Sequence, residues 1–336
     1  MKRVQVTFAL VLLLLALVLL VLSACGGTQQ AASPEEVVPV NSPGEPTDVL
    51  DHSEEENQAS QPDLPVPDEE SNLPADRQDV EIPTQDGRKL EGIFYPPKEA
   101  NSPVVVLMHW APGSMGDWNH IAAWLQNRPG ETDAPPDGRG VIHDPAWFPT
   151  MPAAQSFAVL TFNFGKYGAS QYGGSRESYV VDAVSALEYA ASLPGVDPHR
   201  IAVIGASIGA DGAVDACYLF NDAGEKGTCI GALSLSPGNY LTQEFTYQHA
   251  AEMVNLSGYP VWCLAAERDG TSPDLCQSLP GQPNRSFIYL GSYHGMDLID
   301  PELMPSDPAV KFNALDLILE FLEQAYSIRL NDIALP

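Results

Sequence analysis

Ile201-Ala202-Val203-Ile204-Gly205-Ala206-Ser207-Ile208-Gly209 is an apolar strand that breaks at a glycine-flanked serine, and a helix-like segment, Ala210 to Phe220, follows. Gly-x-Ser-x-Gly is common by chance. A strand before it and a helix after it give it meaning. A sharp turn there puts the serine in a strained backbone conformation, while Gly205 and Gly209 leave room for strand and helix to approach. The hydroxyl of Ser207 is then expected above the sheet at a helix N-terminus, where the amide of Ile208 can donate to developing negative charge.

Outward from this stretch, strand-like and helix-like segments alternate. Val80 to Pro83, a turn at Gln85-Asp86-Gly87, and Leu90 to Tyr95 read as an opening hairpin. Val104-Val105-Val106-Leu107-Met108 is a continuous apolar run, as expected for a strand buried on both faces of a parallel sheet. Similar runs are Phe157 to Phe164, Ala232 to Ser236, Val261 to Ala266 and Ser286 to Leu290. Ser178 to Leu193 and Phe312 to Tyr326 place apolar residues at three- and four-residue steps and read as helices. The alternation predicts a mostly parallel sheet covered by helices on both faces, an α/β fold.

A serine hydroxyl is a poor nucleophile without a base, and the base needs a carboxylate to orient it. In such sheets, sites form at the carboxyl ends of the strands. Val261 to Ala266 leads into Glu267-Arg268-Asp269-Gly270, and Phe287 to Leu290 into Gly291-Ser292-Tyr293-His294-Gly295. Asp269 and His294 thus fall where an acid and a base are needed. Asp297 and Asp300 are rivals, expected instead to cap the turn into the final helix, and Glu267 is a weaker rival. His120, His143, His199 and His249 read as surface or satisfied histidines, and His52 lies in a polar N-terminal stretch.

Residues 80–336 resemble the α/β-hydrolase fold, in particular its dienelactone-hydrolase-like and serine esterase branches. The resemblance implies Ser207 as nucleophile, Asp269 as acid and His294 as base. Dienelactone hydrolases carry a cysteine at the elbow, so the serine points to a general ester or acyl hydrolase. The family's His-Gly-x after the third strand is matched by His109-Trp110-Ala111-Pro112-Gly113-Ser114, with Trp in place of Gly. The amide of Trp110 or Ala111 can still be the second oxyanion donor, whereas Pro112 has none. His109 is read as a support at the strand end. Phe162 to Ser170 resembles the family's glycine-rich loop, with Asn163 and Lys166 where Asp and Arg are more usual.

The N-terminus carries a different signal. Met1-Lys2-Arg3 precedes an apolar run from Val4 to Leu22, which is signal-peptide architecture. An uncleaved anchor helix is the other reading of such a run. Leu22-Ser23-Ala24-Cys25 resembles the bacterial lipobox, which implies a signal over 1–24 and a lipidated Cys25 on the extracytoplasmic face of a membrane. Residues 25–79 read as a disordered, acidic, Pro-rich tether; between 26 and 80 there are 14 acidic residues and Arg77 alone among bases. The whole chain of 336 residues has a formal charge of -28, which disfavours nucleic acid as a partner.

Two features remain. The connection 128–156 is long, rich in Pro and Gly, and carries Trp147, Phe148 and Met151; it is either a lid over the pocket or an insertion packed on the surface. Trp118 and Trp124 are read as core. With Cys25 set aside, Cys217, Cys229, Cys263 and Cys276 allow three pairings, of which Cys217–Cys229 and Cys263–Cys276 are preferred because each closes a short loop. No residue spacing suggests a metal or a cofactor. The expectation is an exported, membrane-anchored serine hydrolase acting on small-molecule esters. A prolyl-oligopeptidase-like peptidase and a non-catalytic ligand-binding lipoprotein on a hydrolase scaffold are the alternatives.

Overall fold

Val104 to Met108 occupies the middle of an eight-stranded sheet in the computed structural model, which describes residues 73–128 and 143–327. The strands are β1 (Gln78–Pro83), β2 (Lys89–Tyr95), β3 (Ser102–Met108), β4 (Ala158–Phe162), β5 (Val196–Ala206), β6 (Cys229–Leu235), β7 (Val261–Ala266) and β8 (Arg285–Tyr289). Their order across the sheet is β1-β2-β4-β3-β5-β6-β7-β8. The first two pairings are antiparallel, and every pairing from β4 to β8 is parallel.

The absence of polar alternation has the expected cause. Side chains in a strand point alternately to opposite faces, and here both faces are covered. Val104, Val106 and Met108 join one apolar cluster, while Val105 and Leu107 join the other. The helices α1 (Asn119–Gln126) and α6 (Ala314–Tyr326) cover one face. The other is covered by α2 (Ser178–Ala191), α3 (Ile208–Ala223), α4 (Tyr247–Leu256) and α5 (Ser272–Gln277). This is the α/β-hydrolase fold that the sequence resembles.

Several expectations shift. β1 begins at Gln78, and the main-chain carbonyls of Leu73 and Ala75 accept hydrogen bonds from Arg128 and Gln126, so ordered chain starts ahead of residue 80. The final helix is capped by Asn313, whose side chain accepts from the Asp316 N–H while Asp316 reaches back. Asp297 and Asp300 therefore do not cap it. They lie in and just after a 3₁₀ turn, Gly295–Ile299, fourteen or more residues before the helix start at Ala314. Trp118 is fully buried, whereas Trp124 is only half-buried and stacks near Phe148. Residues 129–142 of the lid candidate, and the signal, Cys25 and nearly all of the tether, lie outside the described residues.

The preferred cysteine pairs are brought together. The sulfurs of Cys217 on α3 and Cys229 on β6 are 2.08 Å apart, and those of Cys263 on β7 and Cys276 on α5 are 2.03 Å apart. No helix among the described residues is long and apolar enough to cross a membrane.

Where the register between β3 and β5 slips, the ladder is closed by a side chain. Buried Tyr326, at the end of α6, donates to the Val104 carbonyl at 2.6 Å and accepts from the Ala202 N–H at 3.2 Å. Tyr326→Phe removes both partners from buried main-chain groups. It is expected to lower unfolding stability by about 1–3 kcal/mol in a urea titration.

Candidate active site

Six parallel strands, β3 to β8, deliver their carboxyl ends to one edge of the sheet, and the residues that follow them make the site. Ser207 follows β5 with φ 53° and ψ −114°, a left-handed conformation costly for any residue with a Cβ. The two glycines hold it there. A Cβ on Gly205 would come within 1.8 Å of the Gly209 carbonyl oxygen, and one on Gly209 within 2.3 Å of the Met108 carbonyl oxygen. Gly205 and Gly209 are thus the close-approach positions that the sequence pattern requires.

Ser207, His294 and Asp269 meet. The Ser207 hydroxyl lies 2.8 Å from His294 Nε2, and His294 Nδ1 lies 2.8 Å from Asp269 Oδ1. With Nδ1–H donating to the carboxylate, Nε2 is left to accept from the serine. The hydrogen bond that His294 donates to Asp269 raises the imidazole's pKa above its ordinary value, against the opposing effect of burial, with the Asp269 and Asp297 charges adding to the rise. Burial pushes the Asp269 carboxyl up, but the hydrogen bond from His294, the Ser236 hydroxyl and the His294 charge outweigh it and hold it low. Of the rivals, Asp297 acts on His294 only through its charge, and Glu267 faces Arg268 at 3.8 Å.

The oxyanion candidates divide by geometry. Ile208 is the first residue of α3, so its N–H has no acceptor within the helix. His109 is fully buried, and burial pushes it down to about 4, so it is neutral. Its Nδ1 donates to the Trp110 carbonyl at 2.6 Å and its Nε2 accepts from the Phe164 N–H at 3.0 Å. That fixes His109 as a brace between two loops. In a trans peptide the N–H points opposite to the carbonyl, so the Ala111 N–H is turned away from the buried imidazole. The indole of Trp110 donates to Asp117 at 2.8 Å, and its ring packs so closely on Gly295 that a Cβ there would meet it at 2.8 Å. Asn163, in place of the usual Asp, accepts from the Met115 N–H and donates to Glu91, both at 2.8 Å.

Two residues escaped the sequence reading. Ser236, fully buried at the end of β6 with φ 62°, accepts from the Gly295 N–H at 2.9 Å. Its hydroxyl and that of Ser272 also face the Asp269 carboxylate, whose Oδ2 is buried and outside strict hydrogen-bond geometry with either. Position at a strand end was the available signal, since β6 is the one central strand to which no role had been given. Tyr240 follows, its ring 6.4 Å from the His294 ring and near perpendicular to it. Its loop is held by buried Asp211, which accepts from the N–H groups of Gly238 and Tyr240.

Four histidines away from the triad were read as surface or satisfied. His199 and His249 are exposed and His120 is half-buried, accepting from the His143 N–H at 3.1 Å. His143 differs: it is buried, and neither ring nitrogen makes a hydrogen bond among the described residues. Burial by Trp147 and Phe148, whose rings flank it, was not legible from a loop of irregular sequence.

No protein-family model matches the chain. The uncharacterized protein Rv2307c of Mycobacterium tuberculosis is 33% identical over 150 residues, 45% of this chain and 44% of that protein. The chain thus matches less than half the length of the curated relatives it resembles. Among solved structures, the α/β hydrolase GrgF from Penicillium sp. sh18 superposes with a TM-score of 0.48 at 15% identity, covering 76% of this chain and 100% of that one. The carboxylesterase EstE1, cloned from a metagenomic library, superposes with a TM-score of 0.44 at 20% identity, covering 66% of this chain and 80% of that one.

Ser236 touches both the histidine loop and the acid. Ser236→Ala is expected to lower kcat by roughly tenfold to a hundredfold, the equivalent of one hydrogen bond to a charged group, with KM within about twofold. Steady-state kinetics on an ester hydrolysed by the parent protein checks this, and an unchanged kcat would remove Ser236 from the account.

Proposed function

We propose that the chain is a serine hydrolase that cleaves carboxylic esters through an acyl-enzyme. The single observation that carries this reading is the continuous Ser207–His294–Asp269 chain, with both contacts at 2.8 Å. His294 takes the hydroxyl proton as Ser207 Oγ attacks the carbonyl carbon. Asp269 holds the imidazole's tautomer and stabilises the imidazolium. The oxyanion is held by the Ile208 amide together with that of Ala111, in preference to Trp110, because the Ala111 N–H is directed away from the buried His109. The tetrahedral intermediate collapses as His294 gives its proton to the leaving alkoxide. Water then repeats the sequence against the acyl-enzyme, and Ser207 regains its proton.

A fluorophosphonate probe, read by mass spectrometry, tests the nucleophile. Labelling is expected at Ser207, and its loss in Ser207→Ala and His294→Ala. Absence of labelling in folded parent protein would sink the reading. The pH profile supplies an independent check. His294 must be neutral to accept the proton, and its pKa is raised above the ordinary 6.5. Hydrolysis is therefore lost as pH falls through a value above 6.5, and the limb moves downward in Asp269→Asn.

We also propose that Cys25 is lipidated, tethering the domain to the extracytoplasmic face of a membrane, and that the two cysteine pairs are disulfides formed on export. Metabolic labelling with an alkyne fatty acid is expected to tag the parent protein and to leave Cys25→Ser untagged.

A further inference from the structure

A cavity of about 340 Å³ is lined by His143, Trp147, Tyr293, Met296, Asp297 and Asp300. Tyr293 and Met296 flank His294 and Gly295 in sequence, so one wall of the cavity is built from the segment that carries His294. The volume falls within the range of small-molecule pockets. Its walls are chemically selective. No Lys or Arg is among these lining residues, and two carboxylates are.

The buried imidazole supplies the second, independent observation. His143 is 1% exposed, yet among the described residues neither Nδ1 nor Nε2 has a hydrogen-bond partner. The main-chain carbonyl of Asp117 lies toward the ring but outside hydrogen-bonding geometry. An unsatisfied buried polar group is costly, and its presence calls for a ligand group that pairs with it. Burial keeps the ring neutral, so it offers a lone pair to a donor.

Each candidate ligand class meets these walls differently. An anion is repelled by Asp297 and Asp300. A purely apolar group leaves His143 unpaired and sets hydrocarbon against the carboxylates. A protonated amine fits all three features: its N–H donates to the imidazole, its charge is balanced by the carboxylates, and its alkyl groups pack on the faces of Trp147 and Tyr293 and on buried Met296.

We propose that this cavity binds the protonated amine end of an amine-bearing ester, a proposal that rests on the ester-hydrolase reading above. The amine is carried on either the alcohol or the acyl arm, and matched pairs that differ only by N–H⁺ against C–H separate charge from shape. The pairs are 2-(dimethylamino)ethyl butyrate against 3-methylbutyl butyrate, and ethyl 4-(dimethylamino)butyrate against ethyl 5-methylhexanoate. For at least one pair, kcat/KM of the amine ester, normalised to the alkaline hydrolysis rates, is expected to exceed that of its neutral partner by roughly tenfold, the size of a cation–aromatic contact joined to an ion pair. The ratio is expected to collapse toward one in His143→Phe and in the doubly substituted Asp297→Asn, Asp300→Asn protein. Hydrolysis of neutral esters with no amine preference in either pair would overturn the cavity assignment and leave the hydrolase standing. Hydrolysis of none would overturn the hydrolase, and calorimetry of the same amine esters with full-length Ser207→Ala would then decide the cavity: binding that is lost in the His143→Phe background supports it, and no binding refutes it.

Discussion

The approach of the β5–α3 turn to the carbonyl end of β3 is the constraint on which the rest depends. Gly209 lies so close to the Met108 carbonyl, and Gly205 to Gly209 itself, that no side chain fits at either position. That proximity forces Ser207 into its positive-φ conformation. It also sets the distance between the serine and the loop after β3, where His109, Trp110 and Ala111 stand. Oversized residues at the glycines would move helix α3 away from the sheet and displace Ser207 and the Ile208 amide together.

The base and the acid are held by a second set of contacts that meets the first at Trp110. The indole packs on Gly295, whose N–H is fixed by Ser236, whose hydroxyl faces Asp269. Trp110 therefore ties the loop after β3 to the loop that carries His294. Asn163 does the same on the other flank, joining the loop at Met115 to Glu91 on β2.

What was legible follows from how local each determinant is. Continuous apolar runs announced the doubly covered strands, because burial on both faces acts residue by residue. The elbow, Asp269 and His294 were legible because each follows a strand with glycine beside it. Ser236 was not: nothing in Leu235-Ser236-Pro237 distinguishes it from an ordinary turn, and its contacts are with Asp269 and with Gly295, the latter 59 positions away in the chain. Asp297 and Asp300 were misplaced for a related reason. A short 3₁₀ turn and a stretch of turns and irregular chain intervene before the last helix, and the actual cap, Asn313, is set by the helix it begins.

The segment from Tyr293 to Asp300 serves two surfaces at once. Its first residues carry the base, and its 3₁₀ turn presents Met296 and Asp297 to the neighbouring cavity while Leu298 and Ile299 anchor it in the core. A turn wedged in this way cannot shift its cavity face without shifting the histidine. Asp297 shows the coupling in electrostatic form, since its charge already contributes to the raised pKa of His294. A cation beside Asp297 would offset that charge and lower the imidazole's pKa, leaving more of it neutral at a given pH. On the proposed reading, occupancy of the cavity and the protonation state of His294 are linked through one carboxylate, and the link would favour proton abstraction with a positively charged substrate arm in place.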